Sequence, residues 1–216
     1  MKIFILSFLL ILANCSHQHG HNHANKHMHV KSHEILIADF EDPKRDLWQK
    51  PDFVLKKMGD LKDKSIVDIG VGSGYFSHYF LKAGALVTGA DVDDKFLQHV
   101  KERFLSFKKF STHKLEFNDP KLNGLKFDFI FTSNTYHHID NRVDYLRKLK
   151  QALGQNGKLV IVDFKKNAQN SDFGPPLSMR VDYETVIQEL QLAGYSPYFS
   201  SQDELPNQYL IIFKNN

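Results

Sequence analysis

From residue 34 onward, short apolar runs alternate with helical patterns, and this alternation restricts the fold more than any other feature of the chain. "KSIVDIG", "ALVTGADV", "KFDFIFTSN" and "GKLVIVDF" have strand length and end at glycine or polar turn residues. A weaker strand candidate lies around "HKLEF". Four segments read as helices. "GYFSHYFLKAG" spaces Phe76, Tyr79 and Phe80 on one face and stops at Gly84. "DDKFLQHVKERFLSF" has Asp93 or Asp94 as its cap, and "NRVDYLRKLKQALG" is amphipathic and ends at Gly154. "DYETVIQELQLAGY" is capped by Asp182 and stops at Gly194. "YSPYFSS" and "QYLIIFK" close the chain as two strand candidates joined only by "QDELPN", so they pair antiparallel. The pattern predicts an α/β fold: a Rossmann-like, doubly wound, mostly parallel seven-stranded sheet with a C-terminal antiparallel strand pair. A 42% hydrophobic content suits the core that such a sheet needs.

Ligands of these sheets lie beyond the carboxyl ends of the strands, where strand order reverses. The exit of the first strand is "VDIGVGSGYF", with glycines at three alternate positions: Gly70, Gly72 and Gly74. Glycine lets a ligand approach the backbone closely. A nicotinamide dinucleotide fingerprint would need its third glycine at position 75, which is tyrosine. No G-x-x-x-x-G-K-[ST] phosphate loop is present. The formal charge of +3 is dispersed, without a basic stripe interleaved with aromatics, so nucleic acid is not the expected partner.

D-x-G-x-G-x-G after a first strand resembles motif I of class I S-adenosylmethionine-dependent methyltransferases. Asp91 ends the second strand twenty-one residues after Gly70, where a carboxylate accepts hydrogen bonds from both ribose hydroxyls. "FEDPKRDLWQKPDFVL", "NTYHHI" and "GPPLSMRV" are similar to segments of a bacterial subgroup of these enzymes. The resemblance implies S-adenosyl-L-methionine as cofactor. It implies Asp68, Gly70, Gly72, Ser73, Gly74, Asp91, Val92 and Asn134 as cofactor-binding residues, and Asp119 of "FNDP" as the adenine contact. Trp48 is either a core residue or a substrate platform.

Methyl transfer from a sulfonium is a displacement, so alignment of nucleophile, methyl carbon and sulfur comes first. A base is needed when the acceptor arrives protonated. His137 or His138 of "NTYHH" is the base candidate, with Tyr136 as a positioning group. No paired carboxylates suggest a catalytic metal in the folded domain. The sequence does not name the acceptor; a small molecule fits best, with a lipid or quinone as the alternative that a membrane tether would allow.

The first residues carry a separate message. "MK" followed by "IFILSFLLILA" suits an export signal and is too short to span a bilayer. "LANC" resembles the lipobox of bacterial lipoproteins, with Leu12, Ala13 and Cys15 in place and Asn14 where Gly, Ala or Ser is usual. This assigns residues 1–14 to a signal peptide, 15–33 to a disordered tether and 34–216 to the methyltransferase domain, with the membrane reached through a lipidated Cys15 in the cell envelope. An ordinary secretory signal with an incidental cysteine would export the protein without a lipid, and a start at Met28 or a non-functional signal would leave it cytoplasmic. The tether is His-rich: His17, His19, His21 and His23, with His27, His29 and His33 beyond them, form an all-nitrogen candidate for a divalent transition metal or a plain solvated linker. Two readings therefore stand: a tethered methyltransferase, and a non-catalytic cofactor-binding or metal-handling lipoprotein on the same fold.

Overall fold

A computed structural model describes residues 31–167 and 174–215. The signal segment, Cys15 and the histidines from His17 to His29 lie outside the described residues. Three short helices come first: α1 (His33–Phe40), α2 (Arg45–Gln49) and α3 (Pro51–Met58). The sequence reading carries the tether to residue 33, but α1 starts there, because Ser32 accepts the Ile35 amide as an N-cap and the His33 ring meets Asp93. Then follow β1 (Ser65–Ile69), α4 (Tyr75–Lys82), β2 (Leu86–Asp91), α5 (Asp94–Arg103), β3 (Phe110–Lys114), β4 (Phe127–Ser133), a 3₁₀ turn (Tyr136–His138), α6 (Arg142–Ala152), β5 (Leu153–Phe164), α7 (Tyr183–Leu192), β6 (Ser196–Ser201) and β7 (Gln208–Lys214).

The seven strands form one sheet in the order β3-β2-β1-β4-β5-β7-β6. The pairs from β3 to β5 are parallel, and β7 runs antiparallel to both β5 and β6. Side chains alternate across the sheet as the strand period requires. Val67, Ile69, Ile130, Ile161 and Ile211 pack on one face against Leu146 and Leu149 of α6 and Val186 and Leu190 of α7. Ile66, Phe129, Phe131, Val160 and Ile212 pack on the other against Val54 of α3, Phe76 and Phe80 of α4 and Val100 of α5. The period also sends Asp68 to the α4 face and Asp163 to the α6 and α7 face. Strand order reverses between β1 and β4, so the crevice opens at the carboxyl ends of these two neighbours.

Two local expectations are corrected and one alternative is resolved. The third strand lies at Phe110–Lys114 rather than around "HKLEF", because Leu115 already bonds back to Asp91 and Glu116 and Asp119 close a turn by paired backbone bonds. Of the two cap candidates for α5, Asp93 takes the role by accepting the Lys95 amide. Asp182 stands at the N-cap of α7, but its side chain makes no cap bond and instead meets Lys166 at 2.9 Å.

Candidate cofactor site

The glycine turn leaves β1 with Gly70 at φ +74° and Gly72 at φ +51°, conformations that disfavour any side chain. The two glycines do different work. A Cβ on Gly70 would fall 2.2 Å from Thr135 Oγ1, so Gly70 lets the turns after β1 and β4 touch. A Cβ on Gly72 would meet only the Phe40 ring, at 3.4 Å. A Cβ on Gly74 would strike Phe104 at 2.6 Å, so Gly74 lets α5 and the residue after it pack against the turn.

Asp91 closes the turn from the neighbouring strand. Its Oδ2 accepts the Gly72 amide at 3.1 Å and its Oδ1 the Asp93 amide at 3.0 Å. Burial pushes its carboxyl up to about 6, against the pull of those amides. Asp68 sits behind the turn, 3% exposed, accepting the Ser77 hydroxyl at 2.7 Å. Burial, with the nearby Asp91 charge, raises it to about 7; Ser77 and Arg45 oppose the rise. Asp68 therefore supports the loop from within.

Several cofactor candidates are committed to protein partners. Ser73 is buried and donates to Glu41 Oε1 at 2.6 Å, while Arg103 holds both oxygens of Glu41 and the Ser73 carbonyl. Val92 packs on the α6 face of the core, and its carbonyl accepts Lys114 Nζ. Asp119 accepts the Lys121 amide at 2.9 Å and meets Lys148 at 3.3 Å; that amide and the two lysines hold its carboxyl below the usual range. The structure gives Asp119 no bond to the glycine turn or to Asp91. Asn134, at φ +57°, exchanges hydrogen bonds with Gln49 and Gln208. Gln49 also reaches Ser133 and Gln208, and Arg45 bonds Gln49 at 3.2 Å. This buried polar bridge fastens α2 to the ends of β4 and β7.

The sequence reading missed the residues that cover the turn. Phe40 lies against Gly72 and 6.0 Å from Phe96, and His33 meets Asp93 at 2.9 Å. Helix α1 thus crosses the site from Asp93 to Gly72. Trp48 lies tilted beside Phe164, ring centroids 6.0 Å apart, next to Arg45.

The "NTYHH" segment separates into three roles. Tyr136 is 1% exposed and donates to Glu189 Oε2 at 2.6 Å, where Arg142 also binds Glu189. Burial, with this bond, raises its hydroxyl well above the ordinary value. Tyr136 is a buried anchor of α7, which corrects its assignment to the chemistry. His137 is buried with Nδ1 2.9 Å from Asp163 Oδ1. His138 lies 4.2 Å from it, ring to ring, and burial with the neighbouring His137 lowers its pKa to about 4. His138 is therefore a neutral and weakly basic ring at physiological pH.

Two surface hollows, of about 350 and 410 Å³, lie away from this crevice, one between α7 and the β6–β7 edge and one beside Asp46, Lys50 and Tyr79. Neither touches the glycine turn. The crevice is the better site because the strand reversal, the positive-φ glycines and two buried carboxylates converge there. Among the described residues, no group of three His, Cys, Asp or Glu side chains is placed to hold a metal ion. No described helix is long and apolar enough to cross a membrane.

The fold is that of the S-adenosylmethionine-dependent methyltransferases. It is similar to the S-adenosylmethionine-dependent methyltransferase from Aquifex aeolicus, with a TM-score of 0.75 and 25% identity over 86% of this chain and 100% of that one. A second such enzyme, from Mesorhizobium loti, shares the fold at a TM-score of 0.64 and 15% identity, over 76% of this chain and 96% of that one. More particularly, residues 67–159, from within β1 to within β5, match a family described as a methyltransferase domain, Methyltransf_12. Among curated proteins the chain is 34% identical over 105 residues to the tRNA U34 carboxymethyltransferase of Pseudomonas fluorescens. That match takes in 47% of this chain, which spans about a third (33%) of the relative's length. S-adenosylmethionine is the cofactor of the class, and the site suits it. On the Gly72 side the nearest side chain is the Phe40 ring, and each Asp91 oxygen, bonded to one amide, keeps capacity for a ribose hydroxyl.

Proposed function

We propose that this protein transfers a methyl group from S-adenosyl-L-methionine to a small-molecule acceptor, tethered to the membrane of the cell envelope through a lipidated Cys15. The observation that carries the reading is the Asp91 carboxylate held against the Gly72 amide at the strand reversal. Bound there, the cofactor supplies an electrophilic methyl on a sulfonium. Asp91 takes the ribose hydroxyls, Gly72 gives the backbone approach, Gly70 lets the turns after β1 and β4 close on each other, and Phe40 covers the turn. His137 serves as proton acceptor, because Asp163 orients its ring while His138 is too weakly basic. The Pseudomonas relative is named for action on tRNA. The acceptor is proposed here from this chain's own charge pattern, which lacks a basic stripe.

The test is incubation of the full-length protein with methyl-labelled S-adenosylmethionine and a protein-free metabolite extract, followed by identification of the labelled product. Label in a small molecule supports the reading. Binding of S-adenosylhomocysteine without any label transfer supports the non-catalytic binding protein instead. Label appearing only when tRNA replaces the extract contradicts the proposed acceptor class.

A further inference from the structure

Asp163 ends β5 on the α6 and α7 face, 1% exposed, and three donors converge on its carboxylate. His137 Nδ1 lies 2.9 Å from Oδ1 and 3.1 Å from Oδ2, the His137 amide donates to Oδ2 at 3.1 Å, and the Phe164 amide donates to Oδ1 at 2.7 Å. We propose that Asp163 is the positioning residue for His137, fixing its imidazole with the proton on Nδ1 so that Nε2 is the atom that accepts the proton during methyl transfer. The inference deepens the methyltransferase reading and rests on it.

An ionised carboxylate only accepts, so each neighbour that bonds it must donate. Burial alone would raise the Asp163 carboxyl, but the His137 ring and the two amides outweigh it and hold it below its ordinary value. The carboxylate is therefore ionised at neutral pH, and Nδ1 carries the hydrogen. In a neutral imidazole the lone pair then resides on Nε2. The same carboxylate also holds the His137 main chain, so the 3₁₀ turn and the ring are fixed together. A tautomer set in this way costs no reorganisation when the proton arrives.

The acceptor's nucleophilic atom forms a bond to the methyl carbon as the carbon–sulfur bond breaks and its electron pair passes to sulfur. The acceptor's proton moves to His137 Nε2, and Asp163 stabilises the resulting imidazolium. Asp163 touches neither reactant and acts through His137 alone. A carboxylate that only stapled β5 to the turn would need the His137 amide but no particular tautomer.

The experiment uses full-length protein labelled with nitrogen-15 in its histidine rings. Long-range proton–nitrogen correlation at neutral pH reads the tautomer of His137, assigned by the ring signals absent from His137→Gln. The expected result is a His137 ring protonated at Nδ1 and bare at Nε2 in the wild type, lost or mixed in Asp163→Asn. Label transfer to the metabolite extract should fall on the order of 10²-fold or more in that variant, with S-adenosylhomocysteine affinity within about twofold of wild type. Asp163→Glu should recover part of the transfer. A wild-type ring protonated at Nε2 overturns the proposal, and so does a folded Asp163→Asn variant that keeps full transfer. If Asp163→Asn fails to fold, the wild-type tautomer decides. Failure of the methyltransferase reading looks different: the wild type itself then binds no S-adenosylhomocysteine.

Discussion

The Asp91 carboxylate accepts the Gly72 amide at 3.1 Å and so ties the end of β2 to the glycine turn after β1. The residue expected to bind ribose also shapes the loop that the ligand approaches. Asp91→Ala should therefore weaken S-adenosylhomocysteine binding by about 1–3 kcal/mol, the range for a lost buried polar partner. Because the carboxyl is pushed up to about 6, wild-type affinity should also decline as pH falls through that value, where the protonated form accepts ribose hydroxyls less well. Calorimetry between pH 5 and 8 checks both; an affinity flat across the range would contradict the ribose assignment.

Gly70 and Gly72 should respond differently to alanine. A Cβ at Gly70 would sit 2.2–2.8 Å from three Thr135 atoms, including its Cβ, so Gly70→Ala should cost about 2 kcal/mol or more of stability. At Gly72 the added carbon meets only the Phe40 ring, so Gly72→Ala should cost about 1–2 kcal/mol, mainly for the positive φ, and should lose cofactor affinity. Urea denaturation with parallel calorimetry separates these effects.

Asp68 gives a pH-dependent signature. In the unfolded chain its carboxyl has the ordinary value of about 3.9; in the fold, burial raises it to about 7. Between these values the folded state binds more protons, so stability falls as pH rises. Asp68→Asn carries no such charge and still accepts from Ser77. Its stability relative to wild type should improve by on the order of 2 kcal/mol from pH 5 to pH 8. A constant difference across that range would show that Asp68 is not held protonated.

Tyr136→Phe should remove the bond to Glu189 and cost about 1 kcal/mol of stability while leaving S-adenosylhomocysteine affinity and label transfer near wild type. Transfer reduced tenfold in a stably folded variant would return Tyr136 to the chemistry.

Local periodicity carried the sheet and its flanking helices, because each strand buries alternate residues and each helix a stripe that can be counted along the chain. The places of Gly70, Gly72 and Asp91 were legible for a related reason: each follows from where a strand ends. Contacts between distant segments left no such trace. Asp163 lies 26 residues from His137, Gln49 159 residues from Gln208, and His33 60 residues from Asp93. Nothing in "IADFED" marks Phe40 as the cover of Gly72, since the apolar side chain has its partner only once α1 is laid across the turn. The partners of Tyr136 and Asp119 were hidden for the same reason: Glu189 and Lys148 lie 53 and 29 residues away along the chain.

The central claim is that the turn from Gly70 to Gly74, with Asp91, forms a cofactor site, and titration of the full-length protein with S-adenosylhomocysteine tests it most directly. Calorimetry should show one site per chain, abolished in Gly72→Val and weakened in Asp91→Ala. A wild-type protein that is folded by circular dichroism and binds no S-adenosylhomocysteine would contradict it.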